Sequence, residues 1–230
     1  MNTPVPGALV NGLLPRANNA AYLIPSLLLA IGLAAISGCG PDSGQPEGQA
    51  AAALENPRVD IETALGTIEV ELFAKQAPVT VSNFLQYAQG AFFEGGAFFR
   101  TVTPDNQPTN NVKIQVVQAQ ANPEREREFF APIVLERTRD TGIRHLDGTL
   151  SMARDGPDTA QDSFSICVGA QPELDFGGKR NPDGQGFAAF GRVIRGMDVV
   201  RKIHSSPATG QALTPPILIK GTVRRTGERK

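Results

Sequence analysis

The fold is decided by residues 95–121, GGAFFRTVTPDNQPTNNVKIQVVQAQA. This stretch holds two runs rich in β-branched and aromatic residues, 97–102 and 112–119, separated by Pro, Asp, Asn, Gln and Thr. The pattern predicts two strands joined by an irregular loop. Two polar residues stand directly behind apolar pairs in these runs: Arg100 follows two phenylalanines and Gln118 follows two valines. A cation in a half-buried strand is unfavourable unless something uses its charge, so Arg100 is the first candidate functional residue.

Composition limits the possible classes of protein. The chain has 230 residues and a formal net charge of -1, with 40% apolar and 20% charged residues. This balance is typical of a globular protein and provides no basic surface for nucleic acid, so we expect no nucleic-acid partner. The 24 glycines and 18 prolines predict many turns and few long helices, which favours a mainly β fold.

The first 38 residues differ from the rest. Residues 20–36 (AAYLIPSLLLAIGLAAI) are apolar and uncharged, and this run is short for a membrane-spanning helix. An apolar segment that ends in small residues is typical of an export signal, so we predict that residues 1–38 are a signal peptide. An uncleaved membrane anchor and a soluble intracellular chain stay open as alternatives.

The end of the apolar run, residues 36–39 (ISGC), resembles a bacterial lipobox, in which the cysteine is lipidated and becomes the mature N-terminus. The resemblance implies a lipid anchor at Cys39 and export to the cell envelope, on the periplasmic side in a Gram-negative cell. The long preceding region, whose only basic residue is Arg16, departs from that pattern. Residues 39–56 are rich in Gly, Pro, Ala and Gln and predict a flexible linker, so the folded domain is expected at 57–230.

Within that domain the periodicity predicts about eight short strands and two helices. Short strands with dense turn signals are typical of a closed barrel or a sandwich, and strands do not alternate with helices as in a parallel α/β sheet. We expect Thr80 or Ser82 to cap the first helix, the side chains of Glu69 and Glu71 to face water, and loops at 123–130 and 137–147. The strands are predicted at 59–63, 67–73, 97–102, 112–119, 133–135, 148–153, 163–169, 187–194 and 217–223, and the helices at about 77–90 and 196–203.

Several kinds of chemistry find no support in the sequence. The two histidines, His145 in a polar segment and His204 at a helix end, suggest no Ser-His-Asp arrangement. No metal-ligand or dinucleotide-binding spacing exists, and Cys167 between two aliphatic residues is expected to be a core residue. Spacing alone leaves two interpretations of Arg100: a functional cation, or a strand arginine whose stem covers Phe98 or Phe99 while its head reaches water.

Residues 61–223 resemble the cyclophilin-type peptidyl-prolyl isomerases. The resemblance is carried, in order, by GTIEVELFAKQAPVTVSNFLQYA, FFRTV, VVQ, GTLSMAR, SFSIC and GFAAFGRVIRGMDVVRKI. It implies an eight-stranded antiparallel β-barrel capped by two α-helices, which agrees with the number of strands counted from periodicity.

The resemblance also implies the chemistry. Arg100 matches the principal catalytic residue of the family and Gln118 matches the glutamine that supports it, with no cofactor or metal. The implied activity is that of a peptidylprolyl isomerase that assists folding of exported, proline-containing polypeptides, as a monomer. The matching substrate-binding positions are Phe99, Gln115, Val116, Ala153, Arg154, Ser163, Ser165, Leu174 and Phe187.

The proline pocket departs from the family pattern. Ser165 and Gln115 replace phenylalanines, Glu173 replaces an aromatic residue, and the loop at 176–186 is longer than in compact members. Loss of a buried phenyl ring removes roughly 1.5–3 kcal/mol of apolar contact unless Phe187 or Phe176 refills the space. A peptide-binding module or chaperone with little isomerase activity, and a purely structural envelope lipoprotein, are therefore kept as alternatives. Further departures are Val116 for Met, Ser163 for Gln, Arg154 for Asn, Phe187 for His and Ala119-Gln120 for Gly-Gly.

Overall fold

The computed structural model describes residues 56–225. These residues form nine strands, three α-helices and three short 3-10 helices. The strands are β1 (Arg58–Thr63), β2 (Gly66–Leu72), β3 (Ala97–Val102), β4 (Val116–Gln120), β5 (Thr149–Met152), β6 (Phe164–Cys167), β7 (Ala189–Arg195), β8 (Ala208–Thr209) and β9 (Ala212–Arg225). The α-helices are α1 (Pro78–Gln89), α2 (Thr138–Thr141) and α3 (Met197–His204), and the 3-10 helices are Pro104–Asn106, Pro123–Glu128 and Pro172–Leu174.

The strands form one closed antiparallel barrel. Their order is β1-β2-β7-β5-β6-β4-β3-β9, and β9 pairs again with β1, so that eight strands close on themselves. The two-residue strand β8 forms a hairpin with the start of β9 and adds no member to the closed ring. The predicted eight-stranded antiparallel barrel is confirmed.

The barrel interior follows from the alternation in the strands. In β2, Ile68, Val70 and Leu72 are fully buried. The aromatic rings of Phe84 and Phe164 meet edge to face with their centroids 5.3 Å apart, so α1 and β6 share one core. The helix α3 contributes Val200 and Ile203 to the same core, and the two predicted helices are confirmed within one residue or so of their expected ends.

The start of α1 is capped from a distant part of the chain. Pro78 occupies the first turn as expected, but neither Thr80 nor Ser82 caps the helix with its side chain. The carboxylate of Glu136 accepts hydrogen bonds from the backbone N–H of Val79 at 3.1 Å and of Thr80 at 2.8 Å. The prediction of a local cap is therefore wrong, because a tertiary carboxylate already satisfies these N–H groups.

Several predicted boundaries also differ from the structure. The second strand of the opening stretch begins at Val116 rather than 112, because residues 103–115 are held by the side chain of Gln107, which bonds Thr103 O and Ile114 O. The predicted strand at 133–135 is a single bridge between Ile133 and Ala160, and both predicted loops contain short helices.

Glu69 does not face water as predicted. Only 5% of the residue is exposed, and its carboxylate lies 3.6 Å from the guanidinium of Arg195 and 4.0 Å from that of Arg58. The flanking arginine side chains cover a glutamate that alternation alone assigns to the wet face.

The predictions for residues 1–55 lie outside the described residues. They comprise the signal peptide, the lipidation of Cys39 and most of the linker. Within residues 56–225 no helix has the length and apolar character needed to cross a membrane.

Candidate active site

Barrel register brings four polar residues into one row. Arg100 on β3 pairs with Gln118 on β4, Gln118 pairs with Ser165 on β6, and Ser165 pairs with Ser151 on β5. Directly paired residues of antiparallel strands point to the same side of a sheet. All four residues line one open cavity of about 350 Å³.

The guanidinium of Arg100 is oriented by two amide side chains. Nη1 donates to Gln118 Oε1 at 2.9 Å, while Nε and Nη2 both donate to Gln211 Oε1, at 2.9 and 2.5 Å. An arginine has five N–H groups, so one remains on each terminal nitrogen for a ligand. Burial lowers the pKa of Arg100, yet both partners are neutral, so the guanidinium is fixed in place while its charge stays uncompensated.

Gln118 is held from its other side. Its Nε2 donates to Ser163 Oγ at 3.1 Å, and the Ser163 hydroxyl donates to Ala119 O at 2.9 Å. The predicted substrate-binding residue Ser163 therefore also fixes the amide orientation of Gln118, so that its oxygen faces Arg100.

One side of the cavity is apolar. Ile114, Val116, Leu174 and Phe187 line it and pack with the fully buried Cys167 in a small cluster separate from the main core. Burial raises the pKa of the Cys167 thiol far above its usual value, so the thiol stays protonated and behaves as a core group, as predicted.

The loop at residues 175–187 contributes Arg180 and Phe187 to the cavity lining. Arg154 makes a bidentate ion pair with Asp183, at 2.7 and 2.9 Å, and its Nε donates to Gly186 O at 2.8 Å. The Arg154 guanidinium lies 5.0 Å above the ring of Phe187, and its hydrogen bond to Asp183 lowers the pKa of that carboxyl. Arg154 thus ties the end of β5 to this loop.

Arg180, an arginine of this loop, also lines the cavity. Nη1 of Arg180 donates to Gln107 Oε1 at 2.7 Å and to Val112 O at 2.8 Å. Burial lowers the pKa of Arg180, and the neighbouring charge of Arg100 lowers it further. Arg100 and Arg180 therefore line one cavity, together with Arg154, which is paired with Asp183.

An Asp-His-Ser chain of hydrogen bonds lies beneath the cavity. His145 Nδ1 is 2.7 Å from Asp175 Oδ1, and His145 Nε2 is 2.9 Å from Ser151 Oγ. Burial alone would raise the pKa of Asp175, but hydrogen bonds from the ring and the backbone N–H of His145 lower it overall. This arrangement is not apparent from the sequence, because the three residues are brought together only by the fold. Ser151 is 3% exposed and His145 1%. The buried chain of hydrogen bonds links Asp175, the first residue of the loop at 175–187, to β5.

The structure brings most of the predicted site residues together. Phe99 and Gln115 are not among the residues that line the cavity; Phe99 lies at a register shift in β3. Phe187 shares the lining with Ser165, whereas the ring of Phe176 lies 4.2 Å below the guanidinium of Arg139, away from the cavity. The predicted residues that do line the cavity are Arg100, Val116, Gln118, Ala153, Arg154, Ser163, Ser165, Leu174 and Phe187.

Gln211, Arg180 and Asp183 are among the residues of this site that were not predicted from the sequence. Gln211 lies in the β8–β9 turn and reaches Arg100 because Ala212 pairs with Arg100 across β3 and β9. Arg180 and Asp183 lie in the long loop, where no periodicity marks them. The position of Gln211 beside Arg100 follows from the pairing register of β9 with β3, and the sequence does not show that register.

The family pattern described as cyclophilin type peptidyl-prolyl cis-trans isomerase/CLD matches residues 58–224. The chain belongs to the cyclophilin family. The family and its enzyme class, peptidyl-prolyl isomerase, are therefore as the resemblance implied. Within residues 56–225 no group of three or more His, Cys, Asp or Glu side chains is arranged to hold a metal ion.

Individual cyclophilins support the assignment. A peptidyl-prolyl cis-trans isomerase of Acinetobacter baylyi is 37% identical over 158 residues, which cover 68% of this chain and 77% of that protein. Isomerase B of Escherichia coli is 33% identical over 155 residues, covering 67% of this chain and 87% of that protein. A crystal structure of a Cryptosporidium parvum cyclophilin matches the fold with a TM-score of 0.59 at 20% identity, over 75% of this chain and 99% of that one.

Proposed function

We propose that this cyclophilin is an exported isomerase that acts on proline-containing segments of unfolded or partly folded envelope proteins. The observation that carries the proposal is the guanidinium of Arg100, which two neutral amides orient and which retains free N–H groups in an open cavity. The apolar wall of Ile114, Val116, Leu174 and Phe187 offers a surface for a prolyl ring.

The proposed mechanism needs one well-placed cation. Rotation about a peptide bond has a barrier of roughly 18–20 kcal/mol because amide resonance resists twisting. In the twisted state the prolyl nitrogen is pyramidal and regains a lone pair, which accepts a hydrogen bond from Arg100. That bond is stronger in the transition state than in either ground state, so it lowers the barrier. Gln118 and Gln211 keep the guanidinium in position during the rotation.

The function is tested by measuring prolyl exchange directly. The full chain, kept in mild detergent, is added to an Ala-Pro peptide whose cis and trans signals are followed by NMR exchange spectroscopy. We expect acceleration by the wild type and a loss of roughly 100- to 1,000-fold in kcat/KM for Arg100→Ala. The exposed Arg224, which lies outside the cavity lining, provides the control variant Arg224→Gln, expected to match the wild type. Equal rates for Arg100→Ala and wild type would refute the role of Arg100.

A peptide-binding or chaperone role without much catalysis is the second candidate. It is favoured by the hydroxyl of Ser165, which lines the cavity where the family has a phenyl ring. This alternative predicts that the wild type binds the peptide and suppresses aggregation of a denatured client, yet leaves the exchange rate unchanged. Clear acceleration by the wild type would eliminate it.

The envelope location is proposed from residues 20–39 alone. A lipid anchor at Cys39 predicts that cells fed a labelled fatty acid mark the wild type and leave Cys39→Ala unlabelled. The variant is expected in the soluble exported fraction. A wild type that takes up no label would contradict the lipid anchor and favour the uncleaved apolar segment as the membrane attachment.

A further inference from the structure

The cavity contains two guanidinium groups without acidic partners. Among the ion pairs formed by residues 56–225, none includes Arg100 or Arg180. Arg154, the third arginine of the lining, is neutralised by Asp183 at 2.7 Å. The unpaired positive charge of the cavity therefore belongs to Arg100 and Arg180.

Arg180 is held rigidly with part of its guanidinium free. Its Nη1 makes both side-chain hydrogen bonds, to Gln107 and to Val112 O, and the side chain forms no others with the described residues. Gln107, fully buried, is itself fixed by donating to Thr103 O and Ile114 O, at 2.7 and 2.8 Å. Nε and Nη2 of Arg180 are thus left as oriented donors for a ligand.

A further donor is provided by Ser165, one of the positions that depart from the family pattern. Ser165 lies next to Gln118 in the polar row, and its hydroxyl makes no hydrogen bond with any described residue. No buried side-chain nitrogen or oxygen among residues 56–225 lacks a partner, so this hydroxyl is open to the cavity. A cavity with free donors and uncompensated positive charge favours an anionic acceptor.

Negative charge in the lining is confined to the loop between β5 and β6. Asp155 and Asp162 line the cavity there, and Asp162 Oδ2 already accepts a hydrogen bond from Ala121 N at 3.0 Å. Neither carboxylate pairs with Arg100 or Arg180. An anionic group is therefore repelled from the β5–β6 loop and attracted toward the wall that carries Arg180.

We propose that this cavity selects proline-containing segments with an Asp or Glu side chain within two positions of the proline, and that Arg180 binds the carboxylate. The proposal rests on the proposed isomerase function, since it assigns a substrate class to the same cavity. Arg180 acts as a specificity-determining residue, while Arg100 faces the twisting amide.

The test compares peptides that differ only in charge. Eight alanine-rich peptides with one proline carry Glu or Gln at each of the two positions before and the two positions after the proline. NMR exchange spectroscopy on the full chain in detergent gives kcat/KM for each, without a coupling protease that has its own sequence preference. In at least one position we expect Glu to be used at least about fivefold better than Gln, mainly through KM.

The Glu/Gln ratio, that is kcat/KM for a Glu peptide divided by kcat/KM for the matching Gln peptide, identifies the residue responsible for the preference when it is measured in variants. Arg180→Gln is expected to bring the Glu/Gln ratio close to one, whatever it does to the rate on either peptide, and Arg180→Lys to keep part of the preference. Lys179→Gln removes the same charge one residue earlier in the loop, from an exposed side chain outside the lining, and is expected to keep the wild-type ratio. Raising salt from about 0.05 to 0.5 M should shrink the wild-type ratio, a response that a purely structural role of Arg180 would not produce.

Two results would overturn the proposal: a wild-type ratio near one at all four positions, or a ratio that Arg180→Gln leaves unchanged. If the wild type accelerates exchange of the Gln peptides, the proposed function stands whichever way the ratio falls. If it accelerates none of them, the proposed function fails. The preference for acidic peptides is then tested by binding instead of rate. Chemical-shift titration gives the dissociation constant of each of the eight peptides, and the ratio of the Gln to the Glu constant is judged by the same criteria as the ratio of rates.

Discussion

The two walls of the cavity are built in different ways. The strand wall carries Arg100 and Gln118 on paired strands, so backbone register fixes the distance between their side chains. The loop wall, residues 175–187, is tied to the strands by side chains, with Asp183 bound to Arg154 and Asp175 bound to His145. Register is set by many backbone bonds at once, whereas the loop depends on a few ion pairs and hydrogen bonds.

From this difference we expect the strand wall to act in the isomerisation step and the loop wall to act in binding the peptide. The strand wall places a charged donor with neutral partners, which suits a group that must act on a transient lone pair. The loop wall brings Arg180 and Phe187 to the cavity, and we expect these residues to contact the surroundings of the amide rather than its nitrogen. Changes in the strand wall should therefore alter kcat, and changes in the loop wall should alter KM.

The largest expected effect comes from a change of cation in the strand wall. Arg100→Lys keeps the positive charge but loses the planar fork that binds Gln118 and Gln211 together. We expect kcat to fall roughly 100-fold with KM within about threefold, measured by NMR exchange at several peptide concentrations. A kcat near that of the wild type would show that charge alone is sufficient and that the fork is not required.

The second effect concerns the stability of the loop wall. Asp175→Ala removes the acceptor of the buried His145 and should lower the free energy of unfolding at pH 7 by roughly 1–3 kcal/mol. Folding lowers the pKa of Asp175, so its contribution is complete above the unfolded value of about 4 and is lost as pH falls through the folded value. The difference in the free energy of unfolding between wild type and Asp175→Ala should therefore be smaller in urea melts at pH 3 than at pH 7. Asp140→Asn, whose side chain is 61% exposed, is the control; a gap that stays constant with pH would contradict the assignment.

A tenfold change in kcat is expected from Gln211, whose contact with Arg100 was not predicted from the sequence. Gln211→Ala removes the acceptor of two Arg100 hydrogen bonds without touching the substrate, so kcat should fall about tenfold. Gln89→Ala at the exposed end of α1 is the matched control and should behave as wild type. An unchanged kcat would mean that Gln118 alone orients the guanidinium.

The smallest expected effect lies in the loop wall. Asp183→Ala breaks the bidentate pair with Arg154, so we expect KM to rise about threefold while kcat changes less than twofold. Lys179→Ala, from the same loop, should leave both constants unchanged. If Asp183→Ala lowered kcat instead, the separation of chemistry from recognition would be wrong.

The same difference explains which parts of the molecule the sequence predicts. Strand alternation and the family pattern located Arg100, Gln118 and the closed barrel, because alternation is a property of residues that are neighbours in the sequence. The side chains of Gln107 and Glu136 could not be read in this way. Each bonds backbone groups far along the chain or inside a loop, and such bonds exist only once the fold has brought the groups together.

The departures from the family pattern predicted some properties of the cavity but not all of them. The replacement of a phenylalanine by Ser165 predicted a loss of apolar contact in the pocket, and the structure places this residue in the row with Gln118. Nothing in the sequence indicated that Arg180 would enter the same cavity, since it lies among glycines and prolines without a repeating pattern. The loop that appeared to be only longer than usual thus contributes a charged side chain.

We propose that Arg100 acts on the transition state and contributes little to binding. The most direct measurement determines, on one sample of the full chain, both the dissociation constant of an Ala-Pro peptide and the prolyl exchange rate at saturation. We predict that Arg100→Ala binds the peptide within about threefold of the wild type and loses roughly 100-fold or more of the exchange rate at saturation. A variant that binds much more weakly yet exchanges the bound peptide as fast as the wild type would contradict the claim.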